Sequence, residues 1–260
     1  MWTAINVAAS GVRAQNHALD VTANNLANLN TTAFKSFRVG LVDAPPVDSV
    51  FGAAIGAGGV IIRTQDAGQG AALAPSLPNF SQGPLEWTGR PLDVAIAGQG
   101  FLAVTRPNGS TAYTRDGALR LDGARRLVTA SGAVVTPTIA IPETANFIEI
   151  RPDGTVLAGG IADRSVVGRL SLTRFNNPDG LQGIGGSLYV ASPTSGEPIT
   201  GYPGTDGLGQ VQQRQLEESN VDPAEEMLRA LQTLRAYQLN ARALQMISEM
   251  VAETNSLATA

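Results

Sequence analysis

DPAEEMLRALQTLRAYQLNARALQMISEMVAETN, Asp222 to Asn255, fixes one end of the chain as a long helix. Asp222 is a good N-cap, and Pro223 suits the first helical position, where an N–H has no intrahelical partner. Glu225 sits where a capping-box acid belongs, and Glu226 adds a second acid at the positive end of the helix dipole. No Gly or Pro follows, so a helix is predicted over 223–256. Met227, Leu231, Leu234, Tyr237, Ala241, Leu244, Ile247, Val251 and Thr254 recur at intervals near 3.5, a coiled-coil-like seam.

The opposite end has a second helical pattern over 3–29. Ile5, Ala8, Val12, Leu19, Leu26 and Leu29 recur at three- and four-residue steps or their multiples. Gln15 and Thr22 fall on the same line, which makes the stripe narrow and partly polar. Small residues flank it at Ala4, Ala9, Ala14, Ala18, Ala23 and Ala27. Such a helix cannot bury itself and needs partner helices. The two chain ends are therefore expected side by side, favouring packing between molecules over docking within one.

Between the ends the pattern changes. Residues 39–90 are rich in Gly, Ala and Pro, including Pro45-Pro46 and the run Gly52 to Gly59, and read as an extended connecting segment with one strand near Val60–Arg63. Residues 91–218 read as β. Apolar runs at Leu92–Ala97, Phe101–Thr105, Phe147–Ile150 and Val166–Phe175 alternate with Asn108-Gly109, Asp116-Gly117, Asp122-Gly123, Asp153-Gly154 and Asp206-Gly207. Asn/Asp-Gly pairs between strands signal hairpins. The fold class is thus α+β, with a helical assembly domain from 1–38 and 219–260 and a mainly antiparallel outer β domain over 91–218.

Composition narrows the function. The 260 residues carry a net charge of −4, which offers no basic field for nucleic acid or an anionic membrane. There is no cysteine and a single histidine, His17, which excludes disulfides, thiolate chemistry and His-cluster metal sites. No stretch approaches the ~18 apolar residues that span a bilayer. The first 30 residues lack a secretory-signal pattern, because Asn6, Asn16, Asn24, Asn25, Asn28 and Asn30 interrupt any apolar core. Export without a cleaved signal is the expectation.

Motifs that can carry chemistry read as structural. Gly98-Gln-Gly100-Phe-Leu-Ala103 fits a dinucleotide fingerprint, but a helix must begin there and the residues that follow are strand-like, so a hairpin turn is the better reading. His17 has no nucleophile beside it and reads as a surface or interface histidine. Asp116, Asp122 and Asp153 precede glycines, as turn residues do. Asn108-Gly-Ser110 and Asn30-Thr-Thr32 match glycosylation sequons, a pattern common by chance. Phe34-Lys35-Ser-Phe37-Arg38 reads as an interface or hinge cluster rather than a nucleic-acid contact.

Several stretches together resemble a known family. Asp20–Lys35 (DVTANNLANLNTTAFK) closely resembles the N-terminal signature of the flagellar rod and hook family. Ser81–Leu85 (SQGPL), Pro91–Ile96 (PLDVAI), Gly98–Phe101 (GQGF) and Ala112–Gly117 (AYTRDG) look like its β-domain motifs. Leu216–Val221 (LEESNV) and Gln232–Tyr237 (QTLRAY) resemble its C-terminal signature, and the likeness covers nearly the whole chain outside residues 39–80. Length, Ser195–Ile199, Pro203–Gly207 and the Arg-Ala-Tyr helix with Asn240 look like the distal-rod branch. Val39–Gly59 departs from that branch's acidic, Leu/Tyr-containing stretch, and Ala33 stands where the family usually has Gly. A proximal-rod or divergent rod/hook paralogue is the alternative within the family.

The resemblance implies a structural subunit of the flagellar basal body and not an enzyme. It implies export unfolded through the flagellar type III apparatus and helical self-assembly around a central channel across the periplasm. It also implies torque transmission and contacts with neighbouring rod proteins, the hook protein and the surrounding basal-body rings. No cofactor, metal, nucleic acid or small-molecule substrate is implied. The residues expected at subunit interfaces are Ile5, Val12, Leu19, Leu26, Leu29, Phe34, Met227, Leu231, Leu234, Tyr237, Leu244, Ile247 and Val251. From another class, an extracytoplasmic β-rich binding module or cell-wall enzyme would need a concave site of converging polar groups.

Overall fold

The computed structural model describes residues 2–43, 70–145, 147–160 and 164–258. The contacts group the chain into two units. The helical unit comprises the described residues of Met1–Asn24, Phe37–Leu77 and Pro223–Ala260, and the β unit those of Asn25–Ser36 and Pro78–Asp222. The class is α+β, as the sequence implied: a helix at each end and antiparallel β between them.

In the helical unit, α1 spans Trp2–Ala27 and α2 spans Pro223–Ala258. At 1.5 Å per residue these are about 39 Å and 54 Å long. They run antiparallel. Gly11 lies against Asn240, and Ala18, Val21 and Thr22 share a cavity wall with Glu226, Gln232 and Thr233. A Cβ at Gly11 would sit 2.9 Å from the Asn240 Nδ2, so the Asn240 side chain fills the space that glycine leaves open. Along α1 lies a strand pair, Phe37–Asp43 with Ala71–Pro78. The Ser10 hydroxyl donates to the Val7 carbonyl and accepts from the Ala71 N–H, while His17 Nε2 pairs with the Ser76 hydroxyl at 3.1 Å. His17 is therefore half-buried with a partner on the strand pair.

The β unit is built from short antiparallel strands. Its largest sheet runs, neighbour by neighbour, Gln182–Gly185, Leu188–Val190, Thr111–Thr114, Phe101–Thr105, Val134–Thr136, Leu127–Val128 and Arg120–Leu121. Leu172–Arg174 also pairs with Phe101–Thr105 and with Ile199–Gly201. A separate meander joins Phe147–Ile150, Thr155–Gly159 and Arg164–Arg169. Two further ladders reach across the chain: Val94–Ala97 with Gln210–Gln213, and Leu85–Trp87 with Gln215–Glu217. The core includes Ile96, Leu102, Val104, Leu119, Leu127, Val135, Leu170 and Leu172, all fully buried. Each such side chain stabilises by about 1.5–3 kcal/mol. Beside it, Phe80, Phe101, Tyr113, Phe175 and Tyr189 pack edge to face.

Several expectations are corrected locally. The run Val166–Phe175 is two strands, not one, with a break before Leu172. The stretch 39–90, read as an extended connecting segment, carries the strand Ala71–Pro78, most of Phe37–Asp43, and Leu85–Trp87. Pro75 and Pro78 obscured the first of these, but a two-stranded ribbon has free edges that tolerate a missing N–H. The strand expected near Val60–Arg63 lies outside the described residues. Gly98 and Gly100, with φ of 115° and 132°, make a turn, yet the strands on either side pair elsewhere and form no hairpin. Asp116-Gly117 is not a hairpin turn either. A Cβ at Gly117 would lie 1.7 Å from the Val94 carbonyl oxygen, so glycine is there for backbone approach.

Candidate assembly interface

The face that each terminal helix covers within the chain follows the apolar line read from the sequence only in part. In α1 the buried residues are Ser10, Ala14, Thr22 and Asn25, small or polar side chains three to eight positions apart. Ile5, Val12 and Leu19 are only half-buried. In α2 the covered side runs through Glu226, Arg229, Ala230, Thr233, Ala236, Asn240, Leu244, Ile247 and Val251. Close approach explains this. Helices brought together at Gly11 have room for alanines and hydroxyls near that point, while Leu244, Ile247 and Val251 are half-covered farther along α2.

The expected interface residues consequently divide. Leu244, Ile247 and Val251 are half-buried in the helical unit, and Met227, Leu231, Leu234 and Tyr237 are exposed there. Leu26, exposed, and Leu29 and Phe34, half-buried, belong to the β unit rather than to the helical one. The sequence reading missed Leu228, Leu239, Met246 and Met250, which are more than half exposed on α2. Their signal was present: Leu228, Leu239 and Met246 sit at i, i+11 and i+18, a second line beside the first. Among the described residues of the helical unit, Ala14 is the one hydrophobic residue of either terminal helix that is fully buried. A pair of helices covering so little apolar surface has small stability of its own.

The β unit encloses a charged cluster where the chain enters from α1 and leaves toward α2. Lys35 is fully buried and is the chain's only lysine. Its Nζ donates to the Ser81 carbonyl at 2.7 Å and to Glu217 Oε1. Glu217 Oε1 also accepts from the Gly83 N–H at 2.9 Å, and its Oε2 from Arg115 Nε at 2.8 Å. The remaining arms of Arg115 donate to the carbonyls of Ile96, Gly98 and Gly100. Two buried cations thus share one carboxylate. Burial, and then the nearby Arg115, hold the Lys35 amine below its usual range, against the pull of Glu217.

Around the cluster, Asn220 ties separate stretches of the β unit together. Its side chain accepts from the Ser36 N–H and donates to the Asn79 and Ser81 carbonyls, while the Ala33 N–H donates to the Glu217 carbonyl. Ala33 itself has φ of 54°, the left-handed region that favours glycine. The Phe34–Arg38 stretch, read as an interface or hinge cluster, therefore has its lysine inside the β unit.

Among the described residues, no group of three His, Cys, Asp or Glu side chains could hold a metal ion, and no helix is long and apolar enough to cross a membrane. The glycines at Gly98 and Gly100 lead into a strand, and their carbonyls, not their amides, are turned to a guanidinium. A phosphate needs donors there.

Comparison with known proteins agrees along the chain. Residues 5–35 match the family described as flagella basal body rod protein, 95–158 that of the flagellar hook protein FlgE/F/G D1 domain, and 212–257 that of the flagellar basal body rod FlgEFG protein C-terminal. The flagellar basal-body rod protein FlgG of Borreliella burgdorferi is 37% identical over 267 residues, covering 99% of each chain. That of Agrobacterium fabrum is 37% identical over 95% of this chain and 96% of its own. The rod protein FlgF of Caulobacter vibrioides is 32% identical over 89% and 88%.

Proposed function

The chain belongs to the flagellar basal-body rod protein family, and from that premise we propose that it is a structural subunit of the distal rod, polymerising through its terminal helices. The observation that carries this reading is the exposed face of α2. Met227, Leu228, Leu231, Leu234, Leu239, Met246 and Met250 remain open in the single chain, next to a helical unit with almost no apolar core. Covering the exposed half of one such side chain is worth about 1 kcal/mol. Several together, repeated at every neighbour, can order the helices and stiffen a filament although each contact is weak.

The distal branch is supported by relatives named FlgG that match over nearly their full length. In this reading Ile5, Val12 and Leu19 flank the interface and Met227, Leu231, Leu234 and Tyr237 enter it. Leu26, Leu29 and Phe34 belong to the root of the β unit, and 39–90 connects the parts. The subunit passes unfolded through the flagellar export apparatus, surrounds a central channel in the periplasm, meets other rod and hook proteins and the rings, and transmits torque. It performs no catalysis.

Leu234→Asp tests the reading. Leu234 is 40% exposed in the single chain, so the substitution leaves the subunit folded. It should abolish filaments seen by electron microscopy and sedimentation, because an unpaired carboxylate would be buried at the interface. Normal filaments from Leu234→Asp would remove α2 from the interface.

A further inference from the structure

The helical unit contains a cavity of about 300 Å³ between α1, the strand Phe37–Asp43 and the start of α2. Ala18, Val21 and Val39 give it apolar walls, Arg38 and Arg229 line it as well, and Glu226 contributes its one carboxylate. Glu226 is 4% exposed. Its Oε1 accepts from Arg229 Nη1 at 3.1 Å, and its Oε2 is buried with no hydrogen-bond partner among the described residues. Arg229 directs its other arm to Glu225. A buried carboxylate oxygen left without a donor is costly, so the site is incomplete in the single chain.

The complementary group lies on the same helix. Arg235 is exposed and forms no ion pair among the described residues. It sits amid Leu228, Leu231, Leu234 and Leu239, where the exposed apolar face is densest. Any partner covering that face also covers Arg235, and must supply a carboxylate or leave a cation buried alone. Nine residues separate Glu226 from Arg235, which places them about 180° apart around α2. One copy therefore presents the acceptor on one side and the donor on the other. An interface of that kind is head-to-tail, and it propagates instead of closing on itself.

We propose that the Glu226 cavity receives the Arg235 side chain of a second copy, the aliphatic stem against Ala18, Val21 and Val39 and the guanidinium on Glu226 Oε2. The contact rests on the self-assembly reading and deepens it by fixing the register between subunits. An arginine suits the site better than a lysine, because its planar fork engages both a carboxylate oxygen and a neighbouring acceptor.

The absence of cysteine makes a clean test possible. Full-length chains carrying Arg235→Cys alone are mixed with chains carrying Glu226→Cys or, to spare the buried acid, Gln232→Cys on the cavity rim, and oxidised under assembling conditions. Disulfide-linked pairs should contain one chain of each kind, at least tenfold over pairs of like chains. Arg235→Gln should raise the critical concentration for assembly about tenfold, and Arg235→Lys should recover part of that. Cross-linking through Arg13→Cys or Arg242→Cys in place of Arg235→Cys would overturn the assignment, as would no cross-link at all, with water filling the cavity. If filaments form and Leu234→Asp blocks them but Arg235→Gln leaves the critical concentration unchanged, the cavity contact falls and the assembly reading stands. Failure of the wild-type chain to polymerise removes both.

Discussion

Glu217→Gln should be among the most damaging single substitutions in the β unit that leave the side-chain shape intact. The wild-type carboxylate accepts from Lys35, the Gly83 N–H and Arg115, and its side chain is wholly buried. The amide removes the one negative charge between two cations and turns an NH2 group toward one of them. Breaking a buried pair from one side costs about 3–5 kcal/mol, a large part of the ~5–15 kcal/mol that stabilises an ordinary domain. Part of the loss is recoverable, since Lys35, already held below its usual range, can shed its proton as pH rises. The measurement is urea unfolding followed by near-ultraviolet circular dichroism, at pH 7 and again at pH 9. The midpoint should fall sharply at pH 7 and less at pH 9, with the slope unchanged. Adding Lys35→Met to Glu217→Gln should restore at least ~1 kcal/mol, because one unpaired charge is gone. A loss under ~1 kcal/mol at pH 7, or strict additivity in the double variant, would refute the account of the cluster.

Other expectations follow from single positions. Ala33→Gly relieves a left-handed alanine, a strain of about 1–2 kcal/mol, but loses a buried methyl worth about 0.8 kcal/mol. A net gain below ~1 kcal/mol and a slightly higher Tm should result, and a lower Tm would count against strain at Ala33. Gly117→Ala drives a Cβ into the Val94 carbonyl and should prevent a stable fold of the β unit, so soluble protein with a native-like thermal transition would contradict the approach described there. Burial pushes the Tyr189 hydroxyl up to about 12. Its neutral form is favoured in the folded state, so its contribution to stability is lost as pH rises from about 10 to about 12, by roughly 2.7 kcal/mol. Tyr189→Phe should remove that slope relative to wild type, and identical pH profiles for the two proteins would dismiss the shift.

Periodicity made the helices legible. A capped 3.5-residue pattern without Gly or Pro has no competing structure, and α2 follows it closely. Which side of each helix the chain itself covers was legible only in part, at Leu244, Ile247 and Val251. The apolar line drew attention to large residues, whereas around Gly11 and Asn240 the small ones make the contact. That left Leu228 and Leu239 unread and Glu226 read only as an acid favoured by the helix dipole. Lys35 illustrates a different limit. Its counter-charge, Glu217, lies 182 residues away, and no local pattern announces that a lysine between two phenylalanines is enclosed. The Asn/Asp-Gly pairs were read well where glycine supplies a positive φ, as at Gly109 and Gly154, and misread at Gly117, where it is needed for space.

The enclosure of Lys35 has a chemical consequence. Seventeen of the eighteen basic side chains are arginine, so the only side-chain primary amine, that of Lys35, is sealed in the β unit. Amine-directed acylation at Lys35 can then proceed only through opening of that unit, at a rate set by how often it opens. Every subunit thus carries a one-atom reporter of its own integrity, readable by mass as one lysine adduct on the peptide that holds Lys35, apart from any at the α-amine.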